Sequence, residues 1–253
     1  NNQAITAGNI VGGGIDFSLD AGTSTISLGH LGANNARLGQ LTLTANSGLS
    51  TAIGEATSWH ITNLNSLASI ATTNNLTVNG AQITVEKFIL GANLAIDATS
   101  AVNITDMTRV GQARDVNIQA STSSVTLGNM GRQNAEMGDV TIHTPTLNGS
   151  GNWYLNALNT QTLNTNKLLV QGDLSIQAQH AALKAIALNN GATLNLHASG
   201  NNRNNDIEIT SITGAGNVQL SVGSGHRMLI SEDIGSAENR FAGHVTLGDA
   251  SAS

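Results

Sequence analysis

Side chains able to do chemistry are few in this chain and fall in small groups. Asp16 with Asp20, Asp206 with Glu208 near Arg203, and Glu232 with Asp233 near Arg227 are the carboxylate pairs close enough for acid and base work or for holding calcium. Acidic clusters are scarce and charged residues are usually solvated, so these pairs read as surface charges and receive no catalytic role. GGGID at residues 12–16 resembles a fragment of a calcium-binding nonapeptide, but the spacing is wrong and nothing repeats, so it reads as a turn. The seven histidines form no HxxxH or HExxH pair, and His60, His143 and His197 each fall at an outward strand position. Spacing singles out no Ser, His and acid set, no GxxxxGKS loop and no GxGxxG opening a helix. Catalytic, metal and cofactor residues are therefore assigned to none.

The aromatic residues and the loops offer binding rather than reaction. Trp59 and Trp153 share the inward phase of Ile61 and Leu155, which predicts packing in the core or at a corner, whereas Tyr154 takes the outward phase. The loops at 29–40, 128–139 and 231–243 carry Arg37, Arg132, Glu136 and Arg240. With Tyr154 these are the candidate lateral contact residues, since loops commonly carry function. A purely structural corner would repeat in the same way.

What must position these residues is a repeat. Residues 26–46 read ISLGHLGANNARLGQLTLTAN and residues 125–145 read VTLGNMGRQNAEMGDVTIHTP, an ungapped match at an offset of 99, with a looser third copy, IGSAENRFAGHVTL, at 234–247. Beneath it runs a shorter unit of alternating apolar and polar residues, starting at Phe17, Leu41, Trp59, Leu76, Leu94, Val116, Val140, Trp153, Leu174, Leu194, Val218 and Val245. Its mean advance of about 21 residues lies in the solenoid range. Period-two alternation rich in Thr, Val, Ile and Leu argues for strands, and AALKAIAL at 181–188 is the best helical rival.

These features predict an all-β fold, a right-handed parallel β-helix of about twelve coils, in which equivalent strands of successive coils pair and inward residues stack. Leu41 and Leu43, Leu94 and Ile96, Val116 and Ile118, and Leu174 and Ile176 are the expected interior, and inward aromatics would be hard to fit. Glycines such as Gly29, Gly39, Gly80, Gly128, Gly138, Gly172 and Gly191 are expected at corners, and Asn63, Asn65, Asn156 and Asn159 in amide ladders. No linker interrupts the pattern, so residues 1–253 read as a single β-helical domain, and without an amphipathic cap helix they read as a segment of a longer chain.

Composition narrows the partners. A net charge of −6 and no basic stripe argue against nucleic acid or an acidic membrane surface, and no apolar run is long enough to insert into a membrane. Hydrophobic residues at 40% suffice for a core although only 10% of residues are charged. Zero cysteines suits passage through an oxidising compartment.

The coil motifs LGQLTLTAN at 38–46, GDLSIQA at 172–178 and GAGNVQLSV at 214–222 resemble the shaft repeats of filamentous haemagglutinin-like large exoproteins, over about residues 15–249. Self-associating autotransporter passengers look similar at this level. The Asn-Pro motifs of that family's secretion domain are absent, Pro145 being the single proline, so the likeness is to the shaft. The resemblance implies a secreted or cell-surface adhesin of a Gram-negative bacterium, exported by two-partner secretion through an outer-membrane transporter and active in adhesion, aggregation or biofilm matrix. It implies a polysaccharide, a host receptor or a second copy as partner. The rival expectation is a β-helical polysaccharide-degrading enzyme, a lyase or glycosidase. Ice binding is disfavoured because the outward pairs Thr42/Thr44, His60/Thr62, Thr77/Asn79, Ala95/Asp97 and Asn117/Gln119 break a regular threonine array.

Overall fold

The computed structural model describes residues 3–44, 49–51, 57–120, 122–132, 134–159, 167–178, 180–198, 205–223, 227–235 and 241–249. Among them are twenty-one strands and no helix. Every strand pair whose register is resolved is parallel and joins equivalent sides of successive coils, so the fold is the all-β parallel solenoid that alternation predicts. The segment AALKAIAL lies within the strand His180–Leu188. By internal contacts the chain divides into two units, Asn1–Thr126 and Leu127–Ser253.

In the first unit one inward column runs Phe17, Leu41, Leu64, Ile83, Val102, each residue in register with the next. In the second it runs Leu147, Leu168, Ile186, Ile212, and the exposed Ile234 continues the register at its end. Four circuits are thus closed in each unit, so the coils number about eight and not about twelve. The difference has a simple cause. Trp59 and Leu64 belong to one strand, Thr57–Thr72, and it is Leu64 that lies over Leu41, so Leu41 and Trp59 start two sides of one circuit. Val140 lies under Leu158, in the same strand as Trp153, and repeats the pattern.

All eight interior residues expected from alternation are buried. The interior also takes aromatics, since Trp59, Trp153 and Phe88 are fully enclosed. A small residue makes room locally: Gly149 lies against the Trp153 ring, and a Cβ there would fall 3.0 Å from its Cζ2 and Cη2. An amide ladder exists, but at a corner where the expected positions are not. Asn75 Oδ1 accepts from the Asn93 backbone N–H at 3.1 Å, and Asn93 Oδ1 accepts from the Asp115 N–H at 3.0 Å, so each asparagine closes the corner one coil above. Asn63 and Asn65 are instead half-exposed within a strand. The side chains of Asn156 and Asn159 lie outside the described residues.

Candidate functional site

The two long repeats become the same structural corner. In the first unit Leu31 bridges both Ile10 and Trp59, and Gly32 then turns the chain out with a left-handed φ of 64°. Ala33 and Ala36 exchange two backbone hydrogen bonds of 3.0 Å, closing a small outward hairpin, and the chain re-enters at the buried Leu38. In the second unit Gly131 has φ 67°, Arg132 and Ala135 exchange the equivalent bonds at 3.1 and 2.9 Å, and the chain re-enters at Met137. Only glycine suits these exits. A Cβ on Gly32 would strike the His60 carbonyl, and one on Gly131 the Tyr154 carbonyl, on top of the φ penalty. The third copy leaves its coil likewise: Ile234 bridges Ile212, and Gly235 has φ 81° with its N–H bonded to the Ile212 carbonyl.

The Gly32 and Gly131 corners are each pinned by a buried tryptophan. Trp59 Nε1–H donates to the Gly29 carbonyl at 3.0 Å, and Trp153 Nε1–H donates to the Gly128 carbonyl. Gly29 and Gly128 are equivalent in the repeat, so both indoles span one coil step to satisfy a carbonyl in an apolar setting. The N–H just before each tryptophan is also satisfied from the coil below. His30 Nδ1 accepts from Ser58 N–H at 3.1 Å, and Asn129 Oδ1 accepts from Asn152 N–H at 3.0 Å.

Above the frame the chemistry diverges. At the first corner Arg37, half-buried, donates from Nη1 to the Asn79 carbonyl at 3.3 Å, and so spans the level of His60, which is in register with Asn79. Among the described residues no carboxylate pairs with Arg37. His60 Nδ1 is buried and has no hydrogen-bond partner among the described residues. Burial, then the charge of Arg37, then His30, hold the His60 imidazole below the ordinary histidine value. At the second corner Tyr154 occupies the place of His60 and Glu136 that of Arg37. Glu136 Oε1 accepts from Asn134 N–H at 2.9 Å, which holds Asn134 at a left-handed φ of 63°.

The structure therefore brings Arg132, Glu136 and Tyr154 to one corner and sets Arg37 at the other, while Arg240 lies outside the described residues. Sequence reading missed His30 and His60 as companions of Arg37: the repeat equates His30 with Asn129, but His60 and Tyr154 lie outside it and are matched only by their places over Gly32 and Gly131.

The remaining chemistry is committed elsewhere. Asp16 Oδ1 accepts from Gln40 N–H at 2.7 Å and Asp20 Oδ1 from Gly22 N–H at 2.8 Å, so that pair serves the backbone. Glu232 and Asp233 are exposed, while Arg203 and the Asp206 side chain lie outside the described residues. Register brings His197 Nδ1 to 2.9 Å from Ser221 Oγ on the neighbouring coil, a pairing invisible in sequence because the two stand 24 positions apart. Both are half-exposed on a strand face, and the residue in register on the other side of His197 is Gln177, where a triad would place a carboxylate. An open groove of about 450 Å³ in the second unit is lined by Val222, Met228, Ile230, Leu247 and Gly248, without a charged group to orient a substrate. No three of His, Asp and Glu converge as metal ligands among the described residues.

Compared with protein-family models, curated proteins and solved structures, the chain matches none.

Proposed function

We propose that this chain is a non-catalytic β-helical shaft of a secreted or cell-surface bacterial adhesin, exported through an outer-membrane transporter and acting in adhesion, aggregation or biofilm matrix. The observation that carries this reading is the repeated projecting corner. One rigid frame of left-handed glycine and buried tryptophan recurs while its outward residues change from Arg37 and His60 to Glu136 and Tyr154. A constant frame under variable outward chemistry suits a display surface, which works by exterior contacts and not by a pocket. The coil-on-coil register also supports export, because each circuit needs only its neighbour to fold as the chain emerges. The resemblance of the coil motifs to haemagglutinin-like shafts points the same way.

The test is retention of the purified chain on matrix polysaccharide and on bacterial cells, together with a self-aggregation assay. Retention or aggregation is the expected result. Absence of all three, or cleavage of any member of a panel of acidic and neutral glycans, would overturn it, the latter in favour of the polysaccharide-degrading enzyme.

A further inference from the structure

The Gly32 corner gathers three basic side chains at one point of a strand face that is otherwise almost uncharged. His30 lies in register with Ser58, and Gly32, His60, Asn79 and Asp97 follow one another in the adjacent row at the spacing of neighbouring strands. Arg37 crosses that row to reach Asn79. Because Nδ1 of His30 accepts the Ser58 N–H, its ring proton resides on Nε2, which makes the outer nitrogen a donor. Arg37 spends one of its five N–H groups on Asn79 and keeps a planar fork suited to a carboxylate.

We propose that this corner binds the carboxylate of an acidic sugar, with Arg37 and His30 Nε2 as the donors and His60 between them. The surroundings favour a sugar over an acidic peptide. Ser58, Thr77 and Asn79 present hydroxyl and amide groups beside the guanidinium and the imidazoles, which match sugar hydroxyls. Asp97, next in the row beyond Asn79, repels a second closely spaced negative charge, so the site fits a chain carrying charge sparsely and not a run of glutamates. The equivalent corner of the second unit has Asn129, Glu136 and Tyr154 at these places, so a carboxylate stands where Arg37 does and neither imidazole is present. This inference rests on the adhesive reading for the role of the site, but its chemistry is tested separately.

The experiment is a titration of the intact chain with sodium glucuronate, followed by the imidazole resonances of His30 and His60 at fixed pH and matched ionic strength. Glucose, sodium sulfate and polyglutamate serve as parallel arms. Saturable shifts of both histidines with glucuronate, absent with glucose, are expected. Arg37→Gln weakens the binding by about tenfold or more, Arg37→Lys by less, and Lys184→Gln leaves it unchanged. Unchanged ligand-free spectra of the variants exclude misfolding as the cause, and Arg37→Lys retains the test if Arg37→Gln does not fold. No saturable shift would overturn the site, and equal shifts with sulfate or polyglutamate would overturn its assignment to a sugar. Glucuronate binding without retention on cells or polysaccharide would sink the adhesive reading and leave this site standing, and retention without glucuronate binding would do the reverse.

Discussion

The Gly32 and Gly131 corners are the same object built twice, and their differences separate what the backbone demands from what the surface is free to choose. Both need a left-handed glycine, a hairpin closed by two backbone bonds, an indole donating to a glycine carbonyl one coil below, and a side-chain acceptor for the N–H before that indole. The acceptor is a histidine in one and an asparagine in the other, so the requirement is for a lone pair in the right place and not for a residue type. The residue above the exit and the one before re-entry carry no such requirement. There His60 and Arg37 give way to Tyr154 and Glu136.

The likeness is broken most directly at the exits. Gly32→Ala and Gly131→Ala should each cost roughly 2–4 kcal/mol, because strain at positive φ adds to a clash with a backbone carbonyl that cannot move aside. Urea unfolding would check it, and a large loss at one site beside a negligible loss at the other would refute the equivalence. Trp59→Phe and Trp153→Phe come next, at about 2 kcal/mol each, since the buried Gly29 carbonyl or the half-buried Gly128 carbonyl loses its donor and the smaller ring leaves a void.

The acceptor exchange gives a sharper test at smaller size. His30→Ala should destabilise by about 1 kcal/mol, whereas His30→Asn, copying the other corner, should recover most of that loss. Failure of asparagine to rescue would show that the histidine does something its counterpart does not.

The smallest expected effect concerns acidity. The folded His60 imidazole titrates below its unfolded value, so the unfolded chain binds the proton more readily. Its contribution to stability is complete above pH 6.5 and is lost as the pH falls below that value toward the lowered folded one. In His60→Tyr this component should vanish from the pH dependence of the urea midpoint, and its persistence would place the effect on another group.

How much could be read beforehand follows from the range of each interaction. Alternation at Leu41, Leu94, Val116 and Leu174 identified the interior because burial in a strand is a local, period-two property. The phase of Trp59 and Trp153 told that they are enclosed for the same reason. The coil count failed because a strand start does not reveal which side of the circuit it opens, and Trp59 was counted as a new turn when it begins a second side. The ladder at Asn75 and Asn93 was missed because among 31 asparagines only register shows which ones meet a corner N–H. The basic corner was half seen. Arg37 stood out in its loop, but His30 and His60 come from successive coils and join it only when the helix is wound.

The hairpin between Gly32 and Leu38 has one more implication. Leu31 and Leu38 lie under Trp59 and Ile61, so an interval filled by a single residue, His60, in the upper coil holds six in the lower one. The detour departs and returns at neighbouring points and is sealed at its neck by the Ala33 and Ala36 bonds. Loop length is thereby uncoupled from the winding of the scaffold. A foreign peptide spliced between Asn34 and Asn35 would be carried outward like a flag on a mast, which makes this spot the natural graft point for anyone wishing to give the solenoid a new specificity.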